Sequence, residues 1–182
     1  MHPVYGFLAE NADFADAVVA AGLVWVGPSG DAIRLMGDKV SARIAPAQAG
    51  VPVAPGSMGR VASIAEGREI LKETGFPVMI KAAAEALAAF GDGGLYMEKV
   101  IGQARHIEVQ ILGDGKRAIH CNERERSPKR RRQKVWEEAP SLALSPDLRD
   151  ALCASAVRLA EAVNYSGTGT IEYLYDDAAD RF

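Results

Sequence analysis

The composition of this chain is that of a globular protein and excludes several other classes. It has 182 residues, of which 48% are hydrophobic and 25% charged, and its net charge is −3; these values are ordinary for a folded domain. No apolar run approaches the ~20 residues of a membrane-spanning helix, and Met1-His2-Pro3 does not begin a secretory leader. Two isolated cysteines, Cys121 and Cys153, favour a reduced cytoplasmic protein.

The first quarter of the chain alternates helical and extended patterns. Asn11 is a typical N-cap, and Gly22 is expected to end the helix, with Phe14 and Val18 on its buried face. Residues 23–26 are all apolar and are predicted to form a short buried strand. Further helical segments are expected as far as about residue 49.

A second helix signal follows an extended connection. Residues 50–56 are rich in glycine, proline and valine, which favours an extended segment between two lobes. Ser63 and Glu66 have the spacing of a capping box, and Gly75 is expected to end the helix that they begin.

The rest of the chain combines strands with one long helix. Strands are predicted at residues 77–81, 95–99, 105–112, 117–122 and 170–175. Residues 82–90 are alanine-rich and predicted to be helical, and Ser145 with Pro146 should cap a longer helix. Asp176-Asp177 should start a turn. The predicted fold class is α+β, with α/β character in the N-terminal part.

The segment 105–111 alternates perfectly between apolar and polar residues. Ile107, Val109 and Ile111 should face a core, whereas His106, Glu108 and Gln110 should border water or a ligand. A basic stretch, residues 123–140, follows this strand. It contains seven basic side chains: Arg124, Arg126, Lys129, Arg130, Arg131, Arg132 and Lys134. Four glutamates leave a local charge of +3, so we expect a site for an anion such as a nucleotide or bicarbonate.

The common signatures of catalytic and nucleotide sites do not occur. The sequence contains no GxxxxGK[ST], GxGxxG, HExxH, CxxC or GxSxG pattern. Other motifs do resemble a known family, the biotin carboxylases. They are HPVYGFLAEN (2–11), IRLMGDK (33–39), EK (98–99), RHIEVQ (105–110), RRRQKVWEEAP (130–140) and GTIEY (169–173). These motifs occur in the family's order and extend over nearly the whole chain.

The resemblance implies an ATP-grasp fold and an ATP-dependent ligase. Members of this family use ATP with Mg²⁺ (or Mn²⁺) to convert bicarbonate to carboxyphosphate, and then carboxylate biotin on a carrier protein. The expected partners are the biotin carboxyl carrier protein and the carboxyltransferase part of an acyl-CoA, pyruvate or urea carboxylase, and a homodimer is left open. The implied domains are a remnant of the N-terminal lobe (1–52), a shortened lid subdomain (53–99) and the first part of the C-terminal ATP-grasp subdomain (100–182).

The resemblance also assigns residues to a nucleotide site. Lys39 and Lys81 match lysines that hold ATP phosphates, a task that suits an ammonium group. Glu98, Lys99 and Ile101 match the hinge that binds adenine through its backbone.

Four further residues match family positions around the ribose, the metal and bicarbonate. His106 matches a residue near the ribose, and Glu172 matches one of two metal-binding carboxylates. Lys134 matches a lysine near bicarbonate, and Arg132 stands at a neighbouring position that is His or Arg in the family. Each also has a plainer interpretation, as an ordinary surface side chain of a helix, strand or loop.

The sequence departs from the family pattern in ways that bear on activity. A glycine-rich lid loop is expected after the strand that ends in Lys81, but here the chain runs directly into alanine-rich sequence. Lys129 stands where the family has glutamine. The first N-terminal strand, the second metal carboxylate, and the arginine and glutamate that handle bicarbonate have no counterpart between residues 1 and 182. We therefore expect little or no turnover, and self-association through an open strand near Phe182.

Two alternatives to an enzyme remain open. One is a non-catalytic module that binds nucleotide or assembles subunits on the same scaffold. The other, which the sequence favours least, is a nucleic-acid binder that uses residues 124–134. The net charge of −3, a pI of about 5.7 and the lack of interleaved aromatic residues other than Trp136 count against it.

Overall fold

The structure of this chain is a computed structural model that describes residues 1–3, 6–37, 41–82, 95–127, 129–130, 133–134 and 136–182. It divides into two compact units. The first comprises Met1–Val51 and Gln103–Phe182, and the second comprises Pro52–Gly102. The three-part division implied by the family resemblance stays a prediction. No helix within the described residues is both long and apolar enough to cross a lipid bilayer.

Three short helices begin the first unit. They are α1 (Ala12–Ala20), α2 (Gly30–Gly37) and α3 (Ser41–Gln48). The predicted cap of α1 is confirmed, because the Asn11 side chain accepts a hydrogen bond of 2.8 Å from the Phe14 amide. Val18 is buried, while Phe14 is half-buried and packs edge-on against Trp25 with the ring centroids 5.8 Å apart.

The predicted buried strand at residues 23–26 is wrong. This segment is not a strand in the structure, and Leu23, Val24 and Val26 are 50%, 78% and 49% exposed. Its backbone bonds to the first residue of the chain and to α1, since the Val26 amide donates to the Met1 carbonyl at 3.0 Å and the Leu23 amide to the Val18 carbonyl at 3.2 Å. An apolar segment becomes a buried strand only when neighbouring strands and a packed face are available to it. No such strands lie beside it in the described part of the chain.

The core of the first unit is a three-stranded antiparallel sheet covered by one long helix. The strands are β3 (Ala104–Asp114), β4 (Ala118–Glu125) and β7 (Ser166–Asp176), in the order β4-β3-β7. A small hairpin, β5 (Lys129–Arg130) with β6 (Gln133–Lys134), lies between β4 and the helix α5 (Pro146–Ala162) in the chain. Ser145 caps α5 as predicted, with its side chain accepting from the Leu148 amide at 3.3 Å.

The alternation of β3 determines which face the helix covers. Ile107, Val109 and Ile111 are fully buried, with no more than 1% exposure, as the sequence predicts. They form one cluster with Leu152 and Leu159 of α5. Each such side chain contributes roughly 1.5–3 kcal/mol through burial. The opposite face of β3 is therefore left for polar groups.

The second unit contains one helix and two strands, α4 (Ile64–Thr74), β1 (Val78–Ala82) and β2 (Leu95–Lys99). The capping box is confirmed: Ser63 accepts from the Glu66 amide at 3.2 Å, and the Glu66 carboxylate accepts from the Ala62 amide at 2.8 Å. Gly75 follows with a φ of 66°. The helix predicted from residue 82 is wrong at its first residue, since Ala82 ends β1, and residues 83–90 lie outside the described residues.

Candidate functional site

The predicted nucleotide-site residues of the second unit lie on its two strands. β1 and β2 are antiparallel, with Lys81 opposite Tyr96 and Met79 opposite Glu98. Lys81 and Glu98 are therefore diagonal neighbours on one face, and the Lys81 ammonium forms an ion pair with the Glu98 carboxylate. The Lys81 side chain remains 43% exposed. The structure thus places an accessible ammonium on this face of the sheet, beside a carboxylate.

The remaining hinge residues follow directly in the chain. The Lys99 ammonium donates to the Phe76 carbonyl at 2.6 Å. The Lys99 amide donates to the Pro55 carbonyl at 2.8 Å, which ties the end of β2 to the preceding extended segment. Ile101 is half-buried in the connection after β2. Lys39, the other predicted phosphate ligand, lies outside the described residues.

A charged column crosses the polar face of the first unit's sheet. Arg124 on β4 and Glu172 on β7 both stand opposite Glu108 on β3. The Arg124 guanidinium donates to Glu108, to the Gln110 side-chain carbonyl and to the Thr170 hydroxyl, each at 3.0 Å. A single arginine therefore connects all three strands on this face.

Glu108 is the most enclosed charge of this column. The prediction that it borders water or a ligand is wrong, because its side chain is only 2% exposed. Arg124 lies at 2.9 Å from its carboxylate and Arg126 at 3.5 Å. Arg126 in turn approaches Glu137 at 3.4 Å. Burial of a carboxylate is costly unless opposite charge compensates it, and here two guanidinium groups supply that charge.

Glu172 differs from its neighbour Glu108 in exposure. It is exposed on β7, and a carboxylate oxygen is a donor that Mg²⁺ accepts. The described residues contain no group of three or more His, Cys, Asp or Glu side chains that could hold a metal ion. Glu108 stands beside Glu172, but two arginines already neutralise its charge. Glu172 therefore fits a magnesium ion as a single protein ligand, with phosphate and water oxygens as the other ligands.

His106 lies on the same polar face of β3, opposite Leu174 of β7. It is half-buried. Its backbone is fixed on both sides: its amide donates to the Ser127 hydroxyl at 3.1 Å, and its carbonyl accepts from the Arg126 amide at 2.8 Å. The start of the basic stretch is therefore attached to the strand that carries the imidazole.

The two predicted catalytic residues, Lys134 and Arg132, are only partly within the described chain. Arg132 lies outside the described residues. The backbone of Lys134 belongs to β6 and pairs with Lys129 of β5, but its side chain also lies outside them. Of the other predicted residues, Lys81, Glu98, Lys99 and Ile101 fall in the second unit, and His106 and Glu172 in the first.

A second charge network escaped the sequence prediction. Glu123 and Glu125 of β4 point to the core face and are both buried. Glu123 forms an ion pair with Arg149 of α5 and accepts from the Ser141 amide at 3.1 Å. This pair attaches the end of β4 to the long helix. The alternation of ERERS, with acids on one face and arginines on the other, is the signal that could have revealed it.

Glu125 accepts hydrogen bonds from three side chains. The donors are the hydroxyls of Ser127 and Ser141, both at 2.6 Å, and the guanidinium of Arg105, at 2.9 Å. Burial alone raises the pKa of Glu125, but these three hydrogen bonds outweigh it and hold the pKa below its ordinary value. The carboxylate is therefore charged in the folded protein, and it anchors both ends of the basic stretch.

Two family models match the chain. Residues 1–33 match the "Biotin carboxylase, N-terminal domain". Residues 38–86 and 81–182 match the "Carbamoyl-phosphate synthase L chain, ATP binding domain" in two separate pieces. Together the matches extend over most of the chain.

The curated relatives include biotin carboxylases and pyruvate carboxylases. A biotin carboxylase of Nostoc sp. is 46% identical over 202 residues, which include 97% of this chain and 45% of that protein. The mitochondrial pyruvate carboxylase of Homo sapiens is 45% identical over 97% of this chain and 17% of its own length. The chain thus spans about half the length of the biotin carboxylases that it matches.

Solved structures agree. Biotin carboxylase from Campylobacter jejuni, in a β,γ-ATP complex, has a TM-score of 0.88 and 40% identity over 98% of this chain and 46% of that chain. The biotin carboxylase domain dimer of Hydrogenobacter thermophilus 2-oxoglutarate carboxylase, with MgADP, ADP and bicarbonate, has a TM-score of 0.86 and 39% identity over 97% of this chain and 45% of that chain. The mixed helix and sheet of the present chain therefore correspond to part of such a domain.

One internal difference separates the chain from its relatives. The alignment with biotin carboxylase 1 of Bacillus subtilis, 42% identical over all of this chain and 46% of that protein, has 208 positions. Against 182 residues here, about 26 of those positions have no counterpart. The two pieces of the ATP-binding match overlap at residues 81–86, so the match to the family model is interrupted there.

Proposed function

Because this chain belongs to the biotin carboxylase family and folds as part of an ATP-grasp domain, we propose that it carries part of an ATP-binding surface for the carboxylation of biotin. The whole reaction uses ATP to activate bicarbonate as carboxyphosphate and transfers the carboxyl group to biotin on a carrier. The observation that supports this most is the accessible Lys81 ammonium on β1, in a chain that is 40% identical to a biotin carboxylase solved as a β,γ-ATP complex.

The family motif assigns nucleotide contacts residue by residue. Lys81 exchanges its ion pair with Glu98 for the phosphates, which a charge-assisted contact favours. The backbone of Glu98, Lys99 and Ile101 binds the adenine edge. Lys39, which belongs to the first unit of the chain and lies outside the described residues, is the second lysine that the motif assigns to phosphates. Each of these roles comes from the family motif, and the β1–β2 register supports the placement of Lys81 and Glu98 on one face.

The family motif also assigns roles to residues of the first unit. Glu172 is one ligand of Mg²⁺, or of Mn²⁺, an ion that would neutralise phosphate charge. His106 contacts the ribose. Lys134 holds bicarbonate, and Arg132 is the second catalytic residue. Glu108 does not take a ligand role in this scheme, since its charge is already compensated by Arg124 and Arg126.

We further propose that these 182 residues bind nucleotide with little or no turnover. The alignment with a relative has about 26 positions more than this chain has residues, and the family match is interrupted at residues 81–86. Segments that close over a phosphoryl group exclude water and hold it during transfer, so their loss should affect chemistry more than binding. The carrier protein and the carboxyltransferase part are the proposed partners of the complete enzyme, and a homodimer of this domain is a proposed assembly. The cytoplasm is its proposed location.

The same shortening favours a second candidate, a non-catalytic module that retains nucleotide binding or subunit assembly. Bicarbonate-dependent ATP hydrolysis separates the two. Slow hydrolysis that is lost in Lys134→Ala would support the enzyme and contradict the module, whereas rapid hydrolysis would contradict the proposal of little or no turnover. A nucleic-acid role has less support, because Arg124 and Arg126 are engaged with Glu108 and Glu137.

The binding proposal is tested by calorimetric titration of MgATP and MgADP into the folded chain. Lys81→Ala should weaken binding by about 10- to 100-fold, the equivalent of ~1.5–3 kcal/mol for a hydrogen bond to a charged group. Lys72→Ala is the matched control, because Lys72 is an exposed lysine of α4 that pairs with Glu69. Equal effects of the two variants would contradict the assignment of Lys81.

A further inference from the structure

The outer edge of β1 is open in the described part of the second unit. β2 is the central strand of this small sheet. On one side it bridges to Gly56 and Val61 of the preceding extended segment, and on the other it pairs with β1. None of the described residues pairs with the far side of β1.

The register shows which backbone groups face that edge. The Val100 amide donates to the Pro77 carbonyl at 2.9 Å, and Val78 stands opposite Lys99. Hydrogen-bonded and non-hydrogen-bonded residue pairs alternate along two antiparallel strands. Val100 and Pro77 are hydrogen-bonded to each other, so the next pair, Lys99 and Val78, is a non-hydrogen-bonded pair, and so is every second pair after it. Val78, Ile80 and Ala82 therefore direct their N–H and C=O groups outward, away from β2.

The side chains of this edge protect it only in part. Ile80 is 62% exposed and Met79 is 49% exposed. Natural edge strands are usually short, or carry charge, proline or a covering segment that prevents pairing with another chain. β1 has five residues and a single charged one, Lys81, whose charge is paired with that of Glu98.

The match to the family model is interrupted at the same place. The alignment with a relative has about 26 positions more than this chain has residues, and the two pieces of the family match overlap at residues 81–86. The open edge of β1 therefore ends where the family match is interrupted.

We propose that β1 pairs antiparallel with β1 of a second copy of this chain, about a two-fold axis at Ile80. Centred there, Ile80 faces Ile80 of the partner, and Val78 faces its Ala82. These are the residues with outward backbone groups, so both edges satisfy all their donors and acceptors at once. Met79 then faces Lys81 of the partner, so like charges do not meet. The contact is isologous and closes as a dimer rather than a fibre.

Sedimentation equilibrium at micromolar to millimolar concentration tests this directly. The unmodified chain should form dimers, and hydrogen exchange at Val78, Ile80 and Ala82 should slow as the concentration rises. Ile80→Pro should give monomers while β1 still pairs with β2, because the amide that it removes points outward. Ile80→Lys should do the same. Ile64→Lys is the matched control: Ile64 is an exposed isoleucine of α4, and its variant should remain dimeric.

A cross-link provides a test that does not depend on variants that weaken association. In a Cys121→Ser background, Ile80→Cys should form an intermolecular disulfide, because hydrogen-bonded antiparallel pairs have Cα atoms about 5.5 Å apart, within disulfide range. Ile64→Cys should not.

Three results would each overturn the proposal. One is a folded chain that stays monomeric with unprotected β1 amides. Another is a monomer in which those amides are protected, since the chain itself then covers the edge. The third is a dimer that Ile80→Lys and Ile80→Pro leave intact. None of these outcomes depends on nucleotide binding, so the result is independent of the proposed function.

Discussion

Replacement of Arg124 by methionine should destabilise the first unit substantially. The change keeps much of the side chain's volume but removes its hydrogen bonds to Glu108, Gln110 and Thr170. Glu108, which is 2% exposed, would then lose the nearer of its two arginines and keep Arg126 at 3.5 Å. Loss of one partner of a buried ion pair costs about 3–5 kcal/mol. Since Arg126 still compensates part of the charge, we expect a loss of about 3 kcal/mol.

Urea unfolding followed by tryptophan fluorescence measures this loss. Trp25 and Trp136 both belong to the first unit, so the signal reports on the unit that carries the substitution. Arg34→Met is the matched control, because Arg34 is 46% exposed and its aspartate partners are more exposed still. Exposed pairs contribute about 0–1 kcal/mol.

A double variant isolates the cause. Glu108→Gln combined with Arg124→Met removes the uncompensated charge, so it should be more stable than Arg124→Met alone. If Arg124→Met costs no more than Arg34→Met, or if the double variant is the less stable one, then the buried charge is not what Arg124 compensates.

Two further predictions follow from titratable groups. The pKa of Glu125 lies below its ordinary value of 4.5. The stability that Glu125 contributes is therefore present above that pH and is lost as the pH falls through the folded pKa. Glu125→Gln should flatten the decrease of the unfolding free energy at acid pH, and an unchanged decrease would contradict the assignment. Burial raises the pKa of the Cys153 thiol to about 11, whereas Cys121 is exposed; a thiol reagent at neutral pH should modify Cys121 and reach Cys153 only on unfolding, and rapid modification of both would contradict the burial of Cys153.

Local chemistry determined those elements that the sequence predicted well. The Asn11 cap, the box of Ser63 and Glu66, and the Ser145 cap each depend on hydrogen bonds within three or four residues. The alternation around Val109 places one face of β3 on a core whatever the partner strands are. The family motifs added the ATP-grasp assignment, which periodicity alone could not supply.

The failures involve long-range partners. Residues 23–26 have the apolar pattern of a buried strand but no strand beside them among the described residues, so their side chains are exposed. The alternation of β3 predicts that Glu108 faces solvent, but Arg124 of the neighbouring strand β4 covers it. The register between two strands cannot be read from the sequence of one of them. The sequence shows Glu123 only as one of several charges in the basic stretch, because its partner Arg149 is 26 residues away.

Calorimetric titration of MgADP into the folded chain, alongside Lys81→Ala and Lys72→Ala, tests the central proposal of a nucleotide-binding surface most directly. We predict that the chain binds MgADP, that Lys81→Ala weakens this binding by about 10- to 100-fold, and that Lys72→Ala leaves it unchanged. An absence of binding by a chain shown to be folded, or binding that does not depend on Lys81, would contradict it.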